Sequence, residues 1–185
     1  VENSNRSYDT AIHLVKAKAF KHYHSDLDET YNIHNILSSF NYAVSLLDSY
    51  QPSNYQRAFA VLRTCLNLQD KDPNSKTFGV WPYFLEEPFA TKKSPADRNW
   101  ADFCSVRILR ILNNHHSILP NDLKIACYQA LMNACEEIKV RDIKPDYTNI
   151  CLMGLHVCYM TAMMYNDQSL LTYSKNRLQH FYQCT

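Results

Sequence analysis

Glycine is nearly missing from this chain: only Gly79 and Gly154 occur among its 185 residues. Sheet proteins use glycine at hairpins and bulges, so the scarcity argues for helices joined by proline and asparagine turns. An excess of either charge is missing too. Lysine and arginine number 19 against 18 acids, for a net charge of +1. With no basic stripe in the sequence, the electrostatic footprint of a nucleic-acid binder is absent. The seven cysteines, Cys65, Cys104, Cys127, Cys135, Cys151, Cys158 and Cys184, include no CxxC pair. Their number is odd and most fall in apolar stretches, which points to buried free thiols in a reducing, cytoplasmic setting rather than to a disulfide framework. Val1 to Asp9 is polar and lacks the apolar run of a signal peptide. HExxH, GxSxG, the P-loop and GxGxxG are all absent. His22-Tyr23-His24 and His115-His116 have no Cys, Asp or Glu at ligand spacing, so no metal and no cofactor is expected.

What is present is a chain 46% hydrophobic, long enough for one domain with its own core. Apolar spacing and stop signals predict seven helices. The first runs from about Tyr8 to Tyr23, and the second from about Thr30 to Tyr50, before Pro52. The third begins near Ser53 with Phe59, Leu62 and Leu66 on one face. The fourth follows Ser94-Pro95-Ala96-Asp97, where Ser94 suits a cap, Pro95 a first position and Asp97 the positive helix end; it stops at Asn113-Asn114. The fifth, after Pro120, carries an apolar stripe of Leu123, Ala126, Cys127, Ala130, Leu131, Ala134 and Ile138, with Lys124, Asn133, Glu137 and Lys139 off it.

The sixth helix, from about Tyr147 to Asn166, is different: no Asp, Glu, Lys or Arg lies between Asp146 and Asp167. Such a run could span a membrane. Asn149, His156, Thr161 and several tyrosines interrupt it, however, and its flanks lack a basic anchor. The favoured reading is an inner helix surrounded by protein, with His156 a core histidine. The seventh helix, from Asp167, is again two-faced. Alternating outer and inner helices describe an all-α array of antiparallel α-hairpins, a single helical domain over residues 1–185. In such an array the connections into the fourth and sixth helices open on the same rim.

Two connections hold the candidate chemistry. The first, about Asp70 to Pro95, has four of the seven prolines and the run Phe78, Trp81, Tyr83, Phe84, Glu86, Glu87, Phe89. A loop of that length in a compact domain is often functional, and its prolines stiffen it. Covering the apolar end of the array is its plainer role. The second, Arg141 to Asn149, puts Asp146, Tyr147 and Asn149 at the positive end of the sixth helix, which favours anionic groups. Ordinary capping accounts for those residues equally well.

At these loops the sequence resembles a known family. Trp81-Pro82-Tyr83-Phe84-Leu85-Glu86-Glu87-Pro88, Asp97-Arg98-Asn99-Trp100-Ala101-Asp102-Phe103 and Tyr147-Thr148-Asn149-Ile150-Cys151-Leu152-Met153 are similar to segments of uncharacterised bacterial proteins. Those proteins look like α/α-toroids related to six-hairpin glycosidases and heparinase-type polysaccharide lyases. The likeness spans roughly Thr77 to the C-terminus. It implies a partial (α/α) toroid of about seven helices, part of a longer family architecture and open at its end, where uncovered helices favour a homo-oligomer.

The resemblance implies a carbohydrate partner, an oligosaccharide or polysaccharide, on the shared rim. Trp81, Tyr83, Arg98 and Trp100 would bind it. Hydrolysis would need two facing carboxyls, drawn from Glu86, Glu87, Asp97 and Asp146. Elimination from a uronate would use Tyr147 as base, with Asn149 and Arg98 on the sugar carboxylate. The competing reading is a non-catalytic helical array acting as a structural or protein-interaction module. The two differ in what they require of the side chains: facing carboxyls in one cleft, or side chains engaged in caps and buried bonds.

Overall fold

A computed structural model of the chain describes residues 2–184. It is mostly helical, with seven α-helices and a small three-stranded sheet among the described residues. The order is α1 (Glu2–Ser7), β1 (Tyr8–Asp9), β2 (Leu14–Lys18), β3 (Asn32–Asn35), α2 (Ile36–Asp48), α3 (Pro52–Asn67), α4 (Trp100–His115), a 3₁₀ turn (His116–Ile118), α5 (Asn121–Arg141), α6 (Thr148–Tyr165) and α7 (Gln168–Cys184).

The N-terminal third departs from the helices expected over Tyr8–Tyr23 and from Thr30. An antiparallel sheet in the order β1-β2-β3 replaces the first of them and the start of the second, with Val15 opposite Asn35 and Lys18 opposite Asn32. The reason is a competing period. Val15-Lys16-Ala17-Lys18 alternates inward and outward, and cross-strand pairing outweighs the weak helical spacing around it. His13 turns the β1–β2 connection with a left-handed backbone, φ 62°. The strand β3 runs straight into α2, where Asn35 serves as cap and its Oδ1 accepts from the Ser38 N–H at 2.8 Å.

The remaining helices lie close to their expected spans. Pro52 opens α3 at its first turn, where its missing N–H costs nothing. α4 starts at Trp100 rather than beside Ser94. Its cap position is Asn99, and the Ser94 N–H instead donates to Asp26 on the N-terminal loop. Consecutive helices pack as α2 with α3, α4 with α5 and α6 with α7. α2, α4 and α6 follow one another side by side, and α3 touches α5. Between them lies one large core that includes Phe40, Leu62, Ile108, Leu131 and Val157.

α6 is not enclosed on all sides. Ile150, Cys151, Gly154, Val157, Cys158, Thr161 and Ala162 face inward, while Asn149, Leu152, His156, Tyr159 and Met163 form an exposed stripe. His156 is therefore a surface residue and not the core histidine expected. A run without Asp, Glu, Lys or Arg need not be enclosed: this stripe lacks all four and is still open. Among the described residues, no helix is long and apolar enough to cross a membrane.

Candidate functional site

The segment between α3 and α4 is ordered by a few buried polar anchors. Gln69 is buried and sits where the chain leaves α3. Its Nε2 donates to the carbonyls of Gly79 and Ala130, at 3.0 and 2.9 Å, and its Oε1 accepts from Asn133 Nδ2. This one amide ties the loop to α5. Gly79 has φ +80°, and a methyl placed on it would overlap the backbone carbonyl of Asn133. Only glycine lets the two backbones approach this closely.

Trp81, expected on the rim as a sugar platform, is 1% exposed. Its Nε1 donates to the Cys65 carbonyl at 2.9 Å, and its ring meets Phe40 edge-on at 5.8 Å. It is a core residue. Tyr83 is buried as well; its ring packs 4.0 Å from that of Trp100, and its hydroxyl donates to Asp97 Oδ2 at 2.7 Å. Burial, with the Asp97 carboxylate beside it, pushes the Tyr83 phenol far above its ordinary range. Asp97 also accepts from the Asn99 N–H through Oδ1 at 3.0 Å, so it shapes the approach to α4. Trp100 is half-buried against Tyr83 and Phe103.

The chain at Tyr83–Leu85 runs along β3. Tyr83 O accepts from Ile36, Leu85 N–H donates to His34 O, and Phe84 bridges to Asn35. That register delivers Glu86 to His34. Oε2 accepts from the His34 N–H at 2.8 Å, and Oε1 lies 2.5 Å from Nδ1. The other ring nitrogen of His34 faces Asp9 Oδ2 at 3.3 Å, and Lys16 Nζ lies 2.8 Å from the same oxygen. The Lys16 bond holds the Asp9 carboxyl far below its usual range. Glu87 points the other way and is buried. It pairs with Lys92 at 2.7 Å and accepts from Ser25 Oγ and from the Asp26 N–H.

Arg98 makes a two-pronged pair with Glu137 of α5, at 2.6 and 2.7 Å. Glu137, expected on a wet face, is buried by it. One helical turn on, Arg141 donates to Asn99 Oδ1 at 2.6 Å and to Asp102 Oδ2. These bonds put the start of α4 beside the end of α5, so the two loops do open at the same end of the helices. They do not share a cleft.

A cleft of about 630 Å³ lies within the first loop. Leu68, Pro82, Leu85, Pro88 and Phe89 form its apolar surface, while Asp70, Asp72, Ser75, Lys76 and Thr77 are polar. A smaller one, about 390 Å³, holds Arg98 and Glu137 and shares Ser75 and Lys76 with the first. The second loop lines a separate cleft of about 670 Å³ with Asp142, Lys144, Asp146 and Thr148 against Arg177, His180 and Cys184 of α7. Asp146 there accepts from the Tyr147 N–H at 3.0 Å, Tyr147 is 48% exposed, and Asn149 is exposed.

His34, Asp9, Gln69, Asp102 and Arg141 carry much of this geometry and were not singled out from sequence. A signal existed for Asp102. It shares a helix face with Ser105, Leu109 and Leu112, all buried, and an acid in that position needs a buried partner. Among the described residues no group of three or more His, Cys, Asp or Glu side chains could hold a metal ion. A family model described as a domain of unknown function (DUF8769) matches residues 7–184. No curated protein and no solved structure matches the chain.

Proposed function

This chain belongs to the DUF8769 family of domains of unknown function, and we propose that it is a non-catalytic helical array, which acts by binding another molecule rather than transforming it. One observation carries the reading. The carboxyls a hydrolase would set against each other at the Glu86–Asp97 loop are bonded internally: Glu86 to His34, Glu87 to Lys92, Asp97 to Tyr83. Asp146 lines a different cleft from that loop. A general acid must reach the bond it protonates. The contact order supports an arc of α-hairpins of the α/α-toroid kind, with α2, α4 and α6 as its inner row and α3, α5 and α7 outside.

A second reading, carbohydrate recognition, is favoured by the 630 Å³ cleft. Phe89 and Pro88 offer flat apolar surface beside hydroxyl, ammonium and carboxylate groups, a mixture that suits a sugar ring. One experiment tests both. The protein is incubated with neutral and uronic polysaccharides, and product ends and thermal midpoint are both followed. The array reading expects no product. Recognition expects a sugar-dependent rise in midpoint that Phe89→Ala and Lys76→Ala abolish. Product formed by the wild type and lost in Glu86→Gln or Asp146→Asn would overturn the non-catalytic assignment.

A further inference from the structure

The row α2, α4, α6 is finished differently at its two ends. At one end β2 and β3 pack on α2. At the other, α6 meets α4, α5 and α7, and its remaining side is the open stripe of Asn149, Leu152, His156, Tyr159 and Met163. Members of the stripe are three, four, three and four residues apart, the 3.5-residue spacing with which one helix seats along another. No charge falls on it. Met153, Met160 and Met164, half-buried along its edge, add none, and Asp146 and Asp167 lie beyond its ends. The outer faces of α5 and α7 differ in this, since Asp122, Glu136 and Lys175 are exposed there among the apolar residues.

The chemistry of the stripe is complementary to itself. Set α6 antiparallel against α6 of a second copy, about the point between Val157 and Cys158, and every layer meets its match. Leu152 faces Met163 of the second copy, and Met163 faces its Leu152. His156 faces Tyr159, and Tyr159 faces His156, a phenol on an imidazole as Tyr8 and His13 already meet within the chain at 2.7 Å. Asn149 faces Asn166, amide on amide. The arrangement also sets opposite helix-dipole ends together. Because β2 and β3 already pack on α2, a copy cannot simply extend the row from that end, and the contact closes as a two-fold pair using the same face twice.

We propose that the open stripe of α6 is a homodimer interface, with α6 packed antiparallel on α6 of a second copy, Leu152 on Met163 and His156 on Tyr159. The surface is separate from the loop clefts, so the pairing stands whether or not those clefts bind a sugar. From Leu152 to Met163 the seam is about 16 Å long at about 1.5 Å per residue. That is the small end of specific interfaces, and the dimer is expected to form at about ten micromolar rather than at nanomolar concentration.

Sedimentation equilibrium of the full chain tests it, with the mass expected to rise from 21.6 kDa toward twice that value between about 1 and about 200 µM. Leu152→Glu and Met163→Lys should each weaken the association at least about tenfold, because each leaves a charge against an apolar residue. Both changes in one chain should restore it, since every glutamate then faces a lysine; a parallel pairing would set like charges together and recover nothing. Both side chains are exposed, so the variants should keep the wild-type circular dichroism and the thermal midpoint of the dilute protein. A wild type that stays at the monomer mass throughout leaves the face to a different partner and overturns the pairing. A dimer that neither single change weakens overturns the interface, and a double variant that stays monomeric overturns the antiparallel register.

Discussion

Gly79→Ala is expected to destabilise the domain by about 4 kcal/mol, the sum of a left-handed backbone forced on a residue with a Cβ and of a steric overlap that neither side can relieve. The methyl would meet a backbone carbonyl of α5, not the end of a flexible side chain. Moving it away would break what surrounds it. Gly79 N–H donates to Asp70 O, its carbonyl accepts from Gln69, and the Asp70 N–H donates to Val80 O. The loop would have to lift from α5 as a unit. Urea unfolding checks this through the shift in midpoint at unchanged slope. A variant with the wild-type midpoint would mean that the loop does not lie on Asn133.

Arg141→Met should cost about 3 to 5 kcal/mol near neutral pH, because it removes the one cation that compensates a fully buried carboxylate. The loss should depend on pH, with a definite sign. The folded Asp102 carboxyl lies at about 6, above its ordinary 3.8. Its contribution to stability is therefore most favourable below about pH 4 and is lost as pH rises through about 6. The difference between wild type and Asp102→Asn should change by up to about 3 kcal/mol across that window. The penalty of Arg141→Met should shrink on acidification, since a neutral acid does not need the guanidinium. Unfolding free energies measured along a pH series decide it. A penalty constant from neutral to about pH 5 would mean that Asp102 does not change its charge there.

These two pairs show what sequence could and could not disclose. The helices from Pro52 onward were legible, because apolar spacing, Pro52 and Pro120 mark them locally. The sheet was not, because β2 gains its stability from partners at Asn32–Asn35 that no local window contains. At the candidate site the loop was identified but the roles of its residues were not. Trp81 and Glu87 have the types a sugar site needs, yet burial and the distant partners Cys65 and Ser25 decide what they do. Arg98 is itself an expected site residue and Arg141 opens the second loop, yet only the packing of α4 on α5 shows which acids they meet. In α6 the gap runs the opposite way: absence of charge does not imply enclosure, and Leu152, Tyr159 and Met163 lie open.

Six of the cysteines are buried, spread over α3, α4, α5 and α6, while Cys184 is exposed at the end of α7. Burial raises the Cys65 and Cys127 thiols, the latter to about 12, which silences them further toward alkylation. The fold thus contains its own set of timers. One sulfhydryl labels at once, and each of the others labels only as often as its helix opens, so the order in which they react would rank the helices by the ease with which they come apart.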